Sequence, residues 1–348
     1  MNGRAPLVSV EDLRVRFRTQ DAVVNAVNGV SFELEAGRVL GILGESGSGK
    51  SVTLRALIGL LPPHTSQVGG CISVAGHEIT RMSEAELREI RGTKIAMIFQ
   101  EPMTALDPVF TIGEQIAETI VRHDGVSWAA AYRRALELLE MVQIPSAARR
   151  LKSYPHEMSG GMRQRAMIAL ALSCRPTVLL ADEPTTALDV TVQMQIIVLL
   201  RRLQQELGMA VVFVTHDVRV AVEVADRIAV MYAGRFVETG PTDSVIRAPA
   251  HPYTAGLLAS TVLGAEQGQR LEAIPGAPPD MTSLLRGCSF APRCRFVGTH
   301  CQSELPPEFR ISPDHGVSCL RVAAGEISMA TSGFTELSAL SERTVRAP

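Results

Sequence analysis

The sequence predicts an α/β fold built around a parallel sheet. Apolar runs at 39–43, 178–181 and 210–215 have the length and composition of buried strands. Segments with helical spacing follow these runs, and strands that alternate with helices form parallel sheets. With 348 residues the chain has room for about two domains. Any ligand is expected at the carboxyl ends of the strands.

The N-terminal part is predicted to consist mainly of strands. Residues 7–43 alternate apolar and polar positions, and the last strand leads into a glycine-rich loop. From Ser51 apolar residues recur at helical spacing until Pro62 and Pro63, so a helix follows the loop. The other predicted elements are a strand group at 71–80, a strand at 95–99, helices from about 112 to 174 with breaks near Pro145 and Pro155, and a helix at about 190–207.

The chain divides into three regions by composition. Residues 1–245 carry the strand and helix pattern, and about 101–174 form a helical subdomain within them. Beyond about 245 prolines and four cysteines accumulate, which predicts a separate, small, irregular C-terminal domain over 246–322. Residues 323–348 are rich in Ala, Ser and Thr and are expected to be a disordered tail, although 335–345 have weak helical spacing.

Charge and hydropathy exclude several classes of function. Lys and Arg number 34 against 36 Asp and Glu, a net charge of −2, so nucleic acid is not expected as a partner. No apolar stretch is long enough to span a bilayer, and the N-terminus lacks the apolar core of a secretory signal. The sequence therefore predicts a cytoplasmic protein that is either soluble or peripheral to a membrane.

A phosphate-binding loop lies between the strand at 39–43 and the next helix. Residues Gly44 to Ser51 read G-E-S-G-S-G-K-S, which fits G-x-x-x-x-G-K-[ST] in the strand-to-helix context that this pattern requires. Backbone N–H groups of the loop converge on phosphate oxygens, Lys50 reaches the β and γ phosphates, and the Ser51 hydroxyl is a ligand for Mg²⁺. The alternative is an ordinary Gly/Ser-rich turn before a helix, which both flanks disfavour.

Polar side chains follow three of the predicted strands. Asp182 and Glu183 end the run at 178–181, Gln100 follows the strand at 95–99, and His216 follows the run at 210–215. Asp182 would hold Mg²⁺, directly or through water, and Glu183 would orient or deprotonate the attacking water. Gln100 and His216 would reach the γ-phosphate or its water. Two alternatives stay open at this point. Asp182 and Glu183 could simply end a strand, and Gln100 and His216 could simply cap one.

A series of motifs follows the phosphate loop in a characteristic order. They are Gln100, Met158-Ser159-Gly160-Gly161-Met162, Asp182-Glu183, Thr186-Ala187-Leu188-Asp189 and His216. Over about 30–240 the chain thereby resembles the ATP-binding subunits of ABC transporters, in which these are the Q-loop, the signature, the Walker B strand with its catalytic glutamate, the D-loop and the switch histidine. The resemblance implies a P-loop NTPase (RecA-like) cassette with an N-terminal antiparallel β subdomain and a helical subdomain. An isolated Ser-Gly-Gly would be only a helix cap.

The resemblance also implies a role for individual residues. Glu183 and His216 would be catalytic, and Mg²⁺ would be held by Ser51, Gln100 and Asp182. The residues expected to contact ATP are Phe17, Gly44, Glu45, Ser46, Gly47, Ser48, Gly49, Lys50, Ser51, Val52, Gln100 and Asp182, and, across a dimer of two cassettes, Ser159, Gly160, Gly161, Met162 and Asp189. Met162 departs from the commoner Gln of the signature, and Phe17 is nearly as well explained as a core aromatic.

Longer segments resemble one branch of this family. Residues 100–108, 154–162, 251–254 and 274–319 look like the dipeptide/oligopeptide importer ATPases. The resemblance implies an energy-coupling ATPase at the cytoplasmic face of the cell (inner) membrane, with a second, paralogous ATPase subunit, two membrane permease subunits and an extracytoplasmic peptide-binding protein. The alternatives are an ATPase of a nickel or other small-solute importer, a soluble non-transport ABC ATPase, and a metal-sensing module.

Four cysteines are concentrated in the C-terminal region. Cys288, Cys294, Cys301 and Cys319 have the spacing C-x5-C-x6-C-x17-C, unlike the C-x2-C pairs common in zinc ribbons. Four thiolates in a proline-rich loop suit a [4Fe–4S] cluster or tetrahedral Zn²⁺, and the resemblance favours the iron–sulfur cluster, in a structural role. Scattered reduced thiols are the remaining alternative. Cys71 and Cys174 are expected to be buried small apolar residues.

Overall fold

The structure, a computed structural model, describes residues 5–186, 188–261, 273–282 and 286–329. Its strands are β1 (Val8–Arg18), β2 (Val23–Leu34), β3 (Val39–Leu43), β4 (Ser66–Val74), β5 (His77–Glu78), β6 (Ile95–Ile98), β7 (Val178–Asp182), β8 (Ala210–Thr215), β9 (Arg227–Tyr232), β10 (Arg235–Pro241), β11 (Phe309–Ser312) and β12 (His315–Val317). Its α-helices are α1 (Lys50–Leu57), α2 (Glu84–Ile90), α3 (Pro102–Ala105), α4 (Ile112–Asp124), α5 (Trp128–Met141), α6 (Ala147–Arg150), α7 (Gly160–Ala171), α8 (Val190–Leu207), α9 (Val218–Val224), α10 (Thr242–Arg247), α11 (Pro252–Ala259), α12 (Thr299–Ser303) and α13 (Leu320–Ala323). Short 3-10 helices cover Ile79–Arg81, Pro155–Glu157 and Ala291–Arg293.

An eight-stranded sheet forms the centre of the molecule, with the strand order β11-β12-β10-β9-β3-β8-β7-β6. The five strands β6, β7, β8, β3 and β9 pair in parallel, and β3, β7 and β8 are buried along their whole length. Burial on both faces explains why the sequence shows these strands as continuous apolar runs. Parallel pairing also places the carboxyl ends of β3, β6, β7 and β8 side by side, where the predicted site residues follow them.

A four-stranded antiparallel sheet is built from the N-terminal strands in the order β2-β1-β4-β5. Its apolar side chains share one core with Leu54 and Leu57 of α1 and with Val212 and Val214 of β8. The sheet therefore covers α1 and holds that helix against the central sheet. This confirms the expected N-terminal antiparallel β subdomain.

Helices pack on the opposite face of the central sheet. Side chains of α4, α5, α7 and α8 form a second core with strand residues such as Leu179, Val211 and Phe213. The breaks expected near Pro145 and Pro155 fall between α5 and α6 and at the 3-10 helix Pro155–Glu157. Within the described residues, no helix combines the length and apolar character needed to cross a bilayer.

The C-terminal region is continuous with the central sheet. β12 pairs antiparallel with β10, where Val317 lies opposite Glu238, and β11 extends the sheet beyond β12. The composition change near 245 gave no indication of this shared sheet. Ile327 packs against the small core around Val317, so ordered packing continues past the boundary expected at 323. Residues 330–348, with the weak helix expected at 335–345, lie outside the described residues.

Candidate functional site

The phosphate loop connects β3 to α1 and is tightly held at its base. A Cβ on Gly44 would collide with the carbonyl oxygen of Met231, so no larger residue fits there. Gly49, directly before α1, has a φ of 105°, which L side chains rarely adopt. A Cβ on Gly47, by contrast, would meet no atom within 4 Å. The loop is thus fixed by close backbone contacts at its ends and open at its tip.

Two polar side chains of the loop are arranged to receive an anion. The hydroxyl of Ser48 is buried and has no hydrogen-bond partner. Lys50 is 4% exposed, and its Nζ donates to the carbonyl oxygens of Gly44 at 2.9 Å and Glu45 at 2.8 Å. Burial lowers the pKa of Lys50, and the charge of Glu183 acts in the opposite direction. A phosphate would give the hydroxyl a partner and the ammonium a counter-charge, so the loop fits the triphosphate of ATP.

Ser51 and Asp182 form the candidate Mg²⁺ site. Ser51 lies in the first turn of α1, and Asp182 ends β7 and is 2% exposed. The Ser51 hydroxyl donates to Asp182 Oδ1 at 2.7 Å. Burial raises the pKa of Asp182, and the hydrogen bond from Ser51 opposes that shift. A hydroxyl beside a buried carboxylate is the kind of oxygen donor set that Mg²⁺ accepts, so these residues fit the ion.

Glu183 is the residue at which the other predicted catalytic groups meet. Its Oε2 lies 3.0 Å from Nδ1 of His216 and accepts from Nε2 of Gln100 at 3.4 Å. Its Oε1 lies 3.9 Å from Nζ of Lys50. The Glu183 side chain is 13% exposed and that of His216 is 58% exposed, so the site opens to solvent on the histidine side. Glu183 also has a φ of 44°, a strained backbone conformation of the kind found at functional sites.

Three contacts at the site had no counterpart in the sequence prediction. Thr186 donates from Oγ1 to Glu183 Oε2 at 3.1 Å. The N–H of Glu45 donates to the Tyr253 hydroxyl at 3.0 Å, and Arg293 pairs with the Glu45 carboxylate at 2.8 Å and 3.2 Å. The partners of Glu45 are 208 and 248 residues away in the sequence. Local spacing carries no signal for contacts of that separation, whereas Thr186 stood in the predicted D-loop without an assigned role.

The signature segment forms the N-terminus of α7. The hydroxyl of Ser159 accepts the N–H of Met162 at 3.3 Å and thereby caps the helix. A Cβ on Gly161 would lie 2.7 Å from Cγ1 of Val192, so α7 approaches α8 closely at this point. Asp189 caps α8, because its Oδ1 accepts the N–H of Val192 at 2.9 Å. Within a single chain, Ser159 therefore caps α7, Asp189 caps α8, and the two helices contact each other.

The other predicted nucleotide contacts lie around these residues. Phe17 is half-buried on β1, and its ring and the side chain of Val52 pack against the core beneath the N-terminal sheet. Met162 packs against the core on the other face of the central sheet. The contact of Phe17 with adenine stays a prediction. Ala187 of the predicted D-loop lies outside the described residues.

The four clustered cysteines are brought together in the C-terminal region. One apolar cavity of about 20 Å³ is lined by Cys288, Cys294, Cys301 and Cys319. Burial raises the pKa of Cys288 to about 11. Across the described residues, no group of three or more His, Cys, Asp or Glu side chains is positioned to hold a metal ion. The thiols therefore share a cavity without forming a metal site as they stand.

Cys71 and Cys174 are half-buried, so the expectation that they are buried was wrong.

Two family models match the chain. The model described as "ABC transporter" matches residues 27–186, which include the phosphate loop, the signature and both carboxylates. The model described as "Oligopeptide/dipeptide transporter, C-terminal region" matches residues 237–301, from β10 to the third clustered cysteine. The two matches together cover the phosphate loop, the signature, both carboxylates and Arg293, and His216 lies between the two matched ranges.

Curated proteins are similar over most of the chain. A probable peptide ABC transporter ATP-binding protein of Sinorhizobium fredii is 49% identical over 318 residues, which are 90% of this chain and 95% of that protein. The chain belongs to the peptide-import ATP-binding proteins of ABC transporters. Other members are the oligopeptide transport ATP-binding protein of Salmonella typhimurium, 47% identical over 90% of this chain and 93% of that protein, and the dipeptide transport ATP-binding protein of Bacillus subtilis, 47% identical over 90% of this chain and 94% of that protein.

Solved structures share the cassette fold of this peptide-import ATP-binding protein. A dimeric ATP-binding cassette bound to ADP and Pi has a TM-score of 0.61 and 30% identity, with 68% of this chain and 98% of that chain covered. A cassette from Clostridium perfringens, part of an ABC transporter complex, has a TM-score of 0.59 and 27% identity, with 70% and 91% covered. The expected ABC cassette is confirmed, and the protein is an ATPase coupled to transport.

Proposed function

We propose that this protein is the energy-coupling subunit of an importer for dipeptides or oligopeptides. The proposal that the transported substrates are peptides rests on the match of residues 237–301 to the oligopeptide/dipeptide transporter C-terminal region. The similar curated proteins are named for peptide, oligopeptide and dipeptide transport. Uptake of labelled peptides by cells that lack the protein tests the cargo. Loss of nickel uptake with normal peptide uptake would favour the alternative, a nickel-type importer.

The geometry supports hydrolysis with Glu183 as the base. The loop amides and Lys50 bind the phosphates, and Glu183, held at β7 by its neighbours, orients and deprotonates the attacking water. His216 lies 3.0 Å from the Glu183 carboxylate at the open side of the site, where it would contact the γ-phosphate. Gln100 links Glu183 to the helical region that begins with α3.

Mg²⁺ would be held by Ser51, Asp182 and Gln100. When bound, the ion neutralises charge on the phosphate oxygens and polarises the phosphoryl group. The Ser51 hydroxyl already donates to the Asp182 carboxylate, so oxygen atoms of both residues lie together beside the phosphate loop. Gln100, two residues after the end of β6, would add its amide oxygen to the site; in the structure its Nε2 donates to Glu183.

A second cassette, which we infer to be a paralogous chain, completes each ATP site. The chain has one phosphate loop and one signature, and the N-terminus of α7 has free N–H groups that suit a phosphate. Ser159, Gly160, Gly161, Met162 and Asp189 would therefore serve the ATP of the partner. The similar solved cassette is itself dimeric. Two permease subunits and an extracytoplasmic peptide-binding protein would complete the importer, with this chain peripheral on the cytoplasmic face of the cell (inner) membrane.

The variant Glu183→Gln tests the catalytic assignment. The amide keeps the size and hydrogen-bonding capacity of the side chain but cannot take a proton, so kcat should fall by at least about 100-fold while ATP binding is retained. Steady-state hydrolysis and titration with a fluorescent ATP analogue measure the two effects. Asp243→Asn, an acid on α10 that is 86% exposed, serves as the control and should hydrolyse ATP normally. Normal turnover by Glu183→Gln would contradict the assignment.

We also propose that the four clustered thiols hold a [4Fe–4S] cluster, with Zn²⁺ as the alternative. The support is their common apolar cavity and their position in an irregular segment that has little core of its own, and the thiols would move closer together than they stand in the structure to bind the cluster. Anaerobic purification should give a coloured protein with about four iron and four sulfide per chain. Cys294→Ser should lose the colour, and Cys174→Ser, which changes a cysteine outside the cavity, should keep it. A colourless protein without zinc would contradict both forms of the proposal.

A further inference from the structure

Arg293 connects the C-terminal region to the phosphate loop. It ends the 3-10 helix Ala291–Arg293, which lies between Cys288 and Cys294. Although it is charged, its side chain is only 6% exposed. The guanidinium forms a two-point contact with the Glu45 carboxylate, Nη1 to Oε2 at 2.8 Å and Nη2 to Oε1 at 3.2 Å. Paired contacts of this kind are strong and fix the orientation of both groups.

The guanidinium is fixed by its own region as well. Its Nε donates to the carbonyl oxygen of Pro275 at 2.8 Å, and Nη2 donates to that of Ile274 at 3.3 Å. Nη1 also donates to the hydroxyl of Tyr232 at 3.4 Å. The planar fork of an arginine presents its donors in a fixed geometry that matches a carboxylate and its flanking acceptors, whereas a lysine ammonium is a compact charge with rotatable donors. Arg293 is therefore placed before any nucleotide binds.

Glu45 is held through its backbone and its side chain together. Its N–H donates to the buried hydroxyl of Tyr253 on α11, its carbonyl oxygen accepts from Lys50, and its carboxylate pairs with Arg293. The Tyr253 ring lies 5.4 Å from the ring of Phe290, which precedes the 3-10 helix of Arg293. The contacts from Tyr253 and Arg293 thus come from elements that follow the sheet strand β10, whereas those from Lys50 and Ser48 lie within the loop and the start of α1.

The pairing with Arg293 matters because of the charge of Glu45. This residue is the second of the phosphate loop, and its side chain is 26% exposed, so solvent screens it only in part. An unpaired carboxylate in a loop that receives a triphosphate would repel it. The guanidinium neutralises the carboxylate and holds it at the C-terminal region.

We propose that Arg293 is a positioning residue for ATP binding, through which the C-terminal region sets the affinity of the cassette for ATP. It neutralises Glu45 and fixes the first turn of the phosphate loop. Arg293 itself takes no part in hydrolysis. The proposal applies to the ATPase function already assigned and does not depend on a metal at the cysteines.

The test compares Arg293→Ala with the double variant Arg293→Ala/Glu45→Gln in the full-length protein. Arg293→Ala should raise the Kd and KM for ATP by about tenfold and change kcat by less than about twofold, because only binding is affected. Glu45→Gln in the same chain should bring KM back to within about threefold of the wild-type value, since the repelling charge is gone. Arg310→Ala, an exposed arginine on β11, is the control and should bind ATP as the wild type does.

Arg293→Gln repeats the test with a polar side chain in case the alanine variant is poorly folded, and should show the same rise in KM. Unchanged KM in a folded Arg293 variant would overturn the proposal. So would a fall in kcat and melting temperature that Glu45→Gln does not reverse, because that result indicates a structural role alone. If the wild-type protein binds no ATP, the assignment as an ATPase fails instead, and Lys50→Ala identifies the background signal.

Discussion

At the scale of single residues, several neighbours fix the carboxylate of Glu183, the proposed catalytic base. Three side chains converge on its Oε2: Gln100, Thr186 and His216, at 3.4, 3.1 and 3.0 Å. Oε1 faces Lys50. Oε2 is thus held by contacts with three side chains, and Oε1 points toward Lys50 of the phosphate loop. A carboxylate held in this way would have little orientational freedom to lose if it activates water as proposed.

Replacement of Thr186 by valine should reduce kcat without changing the KM for ATP. The two side chains have nearly the same shape, but valine cannot donate to Glu183, so the carboxylate gains rotational freedom. A fall in kcat of about threefold to tenfold is expected for one positioning hydrogen bond. Steady-state hydrolysis over a range of ATP concentrations measures both constants.

Thr186→Ser is the matched control for this prediction. Serine keeps the hydroxyl, so hydrolysis should stay close to the wild-type rate. Equal rates for the valine and serine variants would show that the hydrogen bond from Thr186 has no role in positioning Glu183.

The residues proposed to bind ATP were more predictable than those that would position them. Asp182 and Glu183 stand at the end of a strand whose apolar run is visible in the sequence, and Lys50 begins the helix after the glycine-rich loop that follows another such strand. Their meeting follows from parallel pairing of those strands. Arg293 and Tyr253 reach the same loop from the far end of the chain, and their contacts depend on how the C-terminal region folds back. No local sequence pattern predicts that the C-terminal region packs against the phosphate loop.

At the scale of secondary structure elements, the start of α7 depends on a close contact with α8. Gly161 is the second residue of α7, and its Cα faces Val192 in the first turn of α8. Asp189 caps α8 by bonding the N–H of the same Val192. The signature at the start of α7 and Asp189 at the start of α8 would both face the ATP of the partner. They are therefore held by the contact between these two helix ends.

Gly161→Ala should destabilise the protein although alanine favours helices. The new methyl group would lie 2.7 Å from Val192 Cγ1, and valine is too rigid to move aside, so a loss of about 1–2 kcal/mol is expected. The double variant Gly161→Ala/Val192→Ala should recover part of this loss. Urea denaturation of the single and double variants gives the coupling free energy.

Gly160→Ala provides the comparison at the neighbouring position. Its methyl group would meet Leu188 Cδ2 at 3.5 Å, an ordinary contact, so stability should change little. Additive effects of Gly161→Ala and Val192→Ala would mean that the two helices do not meet at this point.

The strands of the C-terminal region were not predictable as parts of the central sheet. β11 and β12 have only 4 and 3 residues, too few for a hydrophobic period to be recognised. β12 pairs with a strand more than seventy positions earlier, Val317 opposite Glu238. The parallel strands β3, β7 and β8 are little longer, with 5, 5 and 6 residues, but were recognised because each is buried over its full length and therefore appears as a continuous apolar run.

At the scale of the whole molecule, a buried carboxylate joins the C-terminal region to the cassette. Glu238 on β10 is fully buried and accepts the N–H groups of Ala250 and His251, each at 2.8 Å. Its Oε1 also lies 2.7 Å from Nε2 of His315 at the start of β12. Two segments, the residues before α11 and the start of β12, thus meet at one carboxylate on β10. Removal of any partner would leave a buried polar group incompletely satisfied.

His315→Ala should therefore loosen the C-terminal region and weaken ATP binding together. Loss of one partner of a buried carboxylate should lower the free energy of unfolding by about 2–4 kcal/mol. Hydrogen exchange should rise over β11 and β12, and the KM for ATP should rise because the same region holds Arg293 against Glu45. Arg310→Ala, on the exposed side of β11, is the control for both measurements.

The combination His315→Ala/Glu45→Gln separates the two consequences. If the KM rises only because Arg293 releases the Glu45 carboxylate, then Glu45→Gln should lower the KM again while hydrogen exchange over β11 and β12 stays fast. A KM that remains high in the double variant would mean that β12 affects the phosphate loop by another route, such as Tyr253 on α11. Unchanged exchange in His315→Ala would show that Glu238 does not anchor the C-terminal strands.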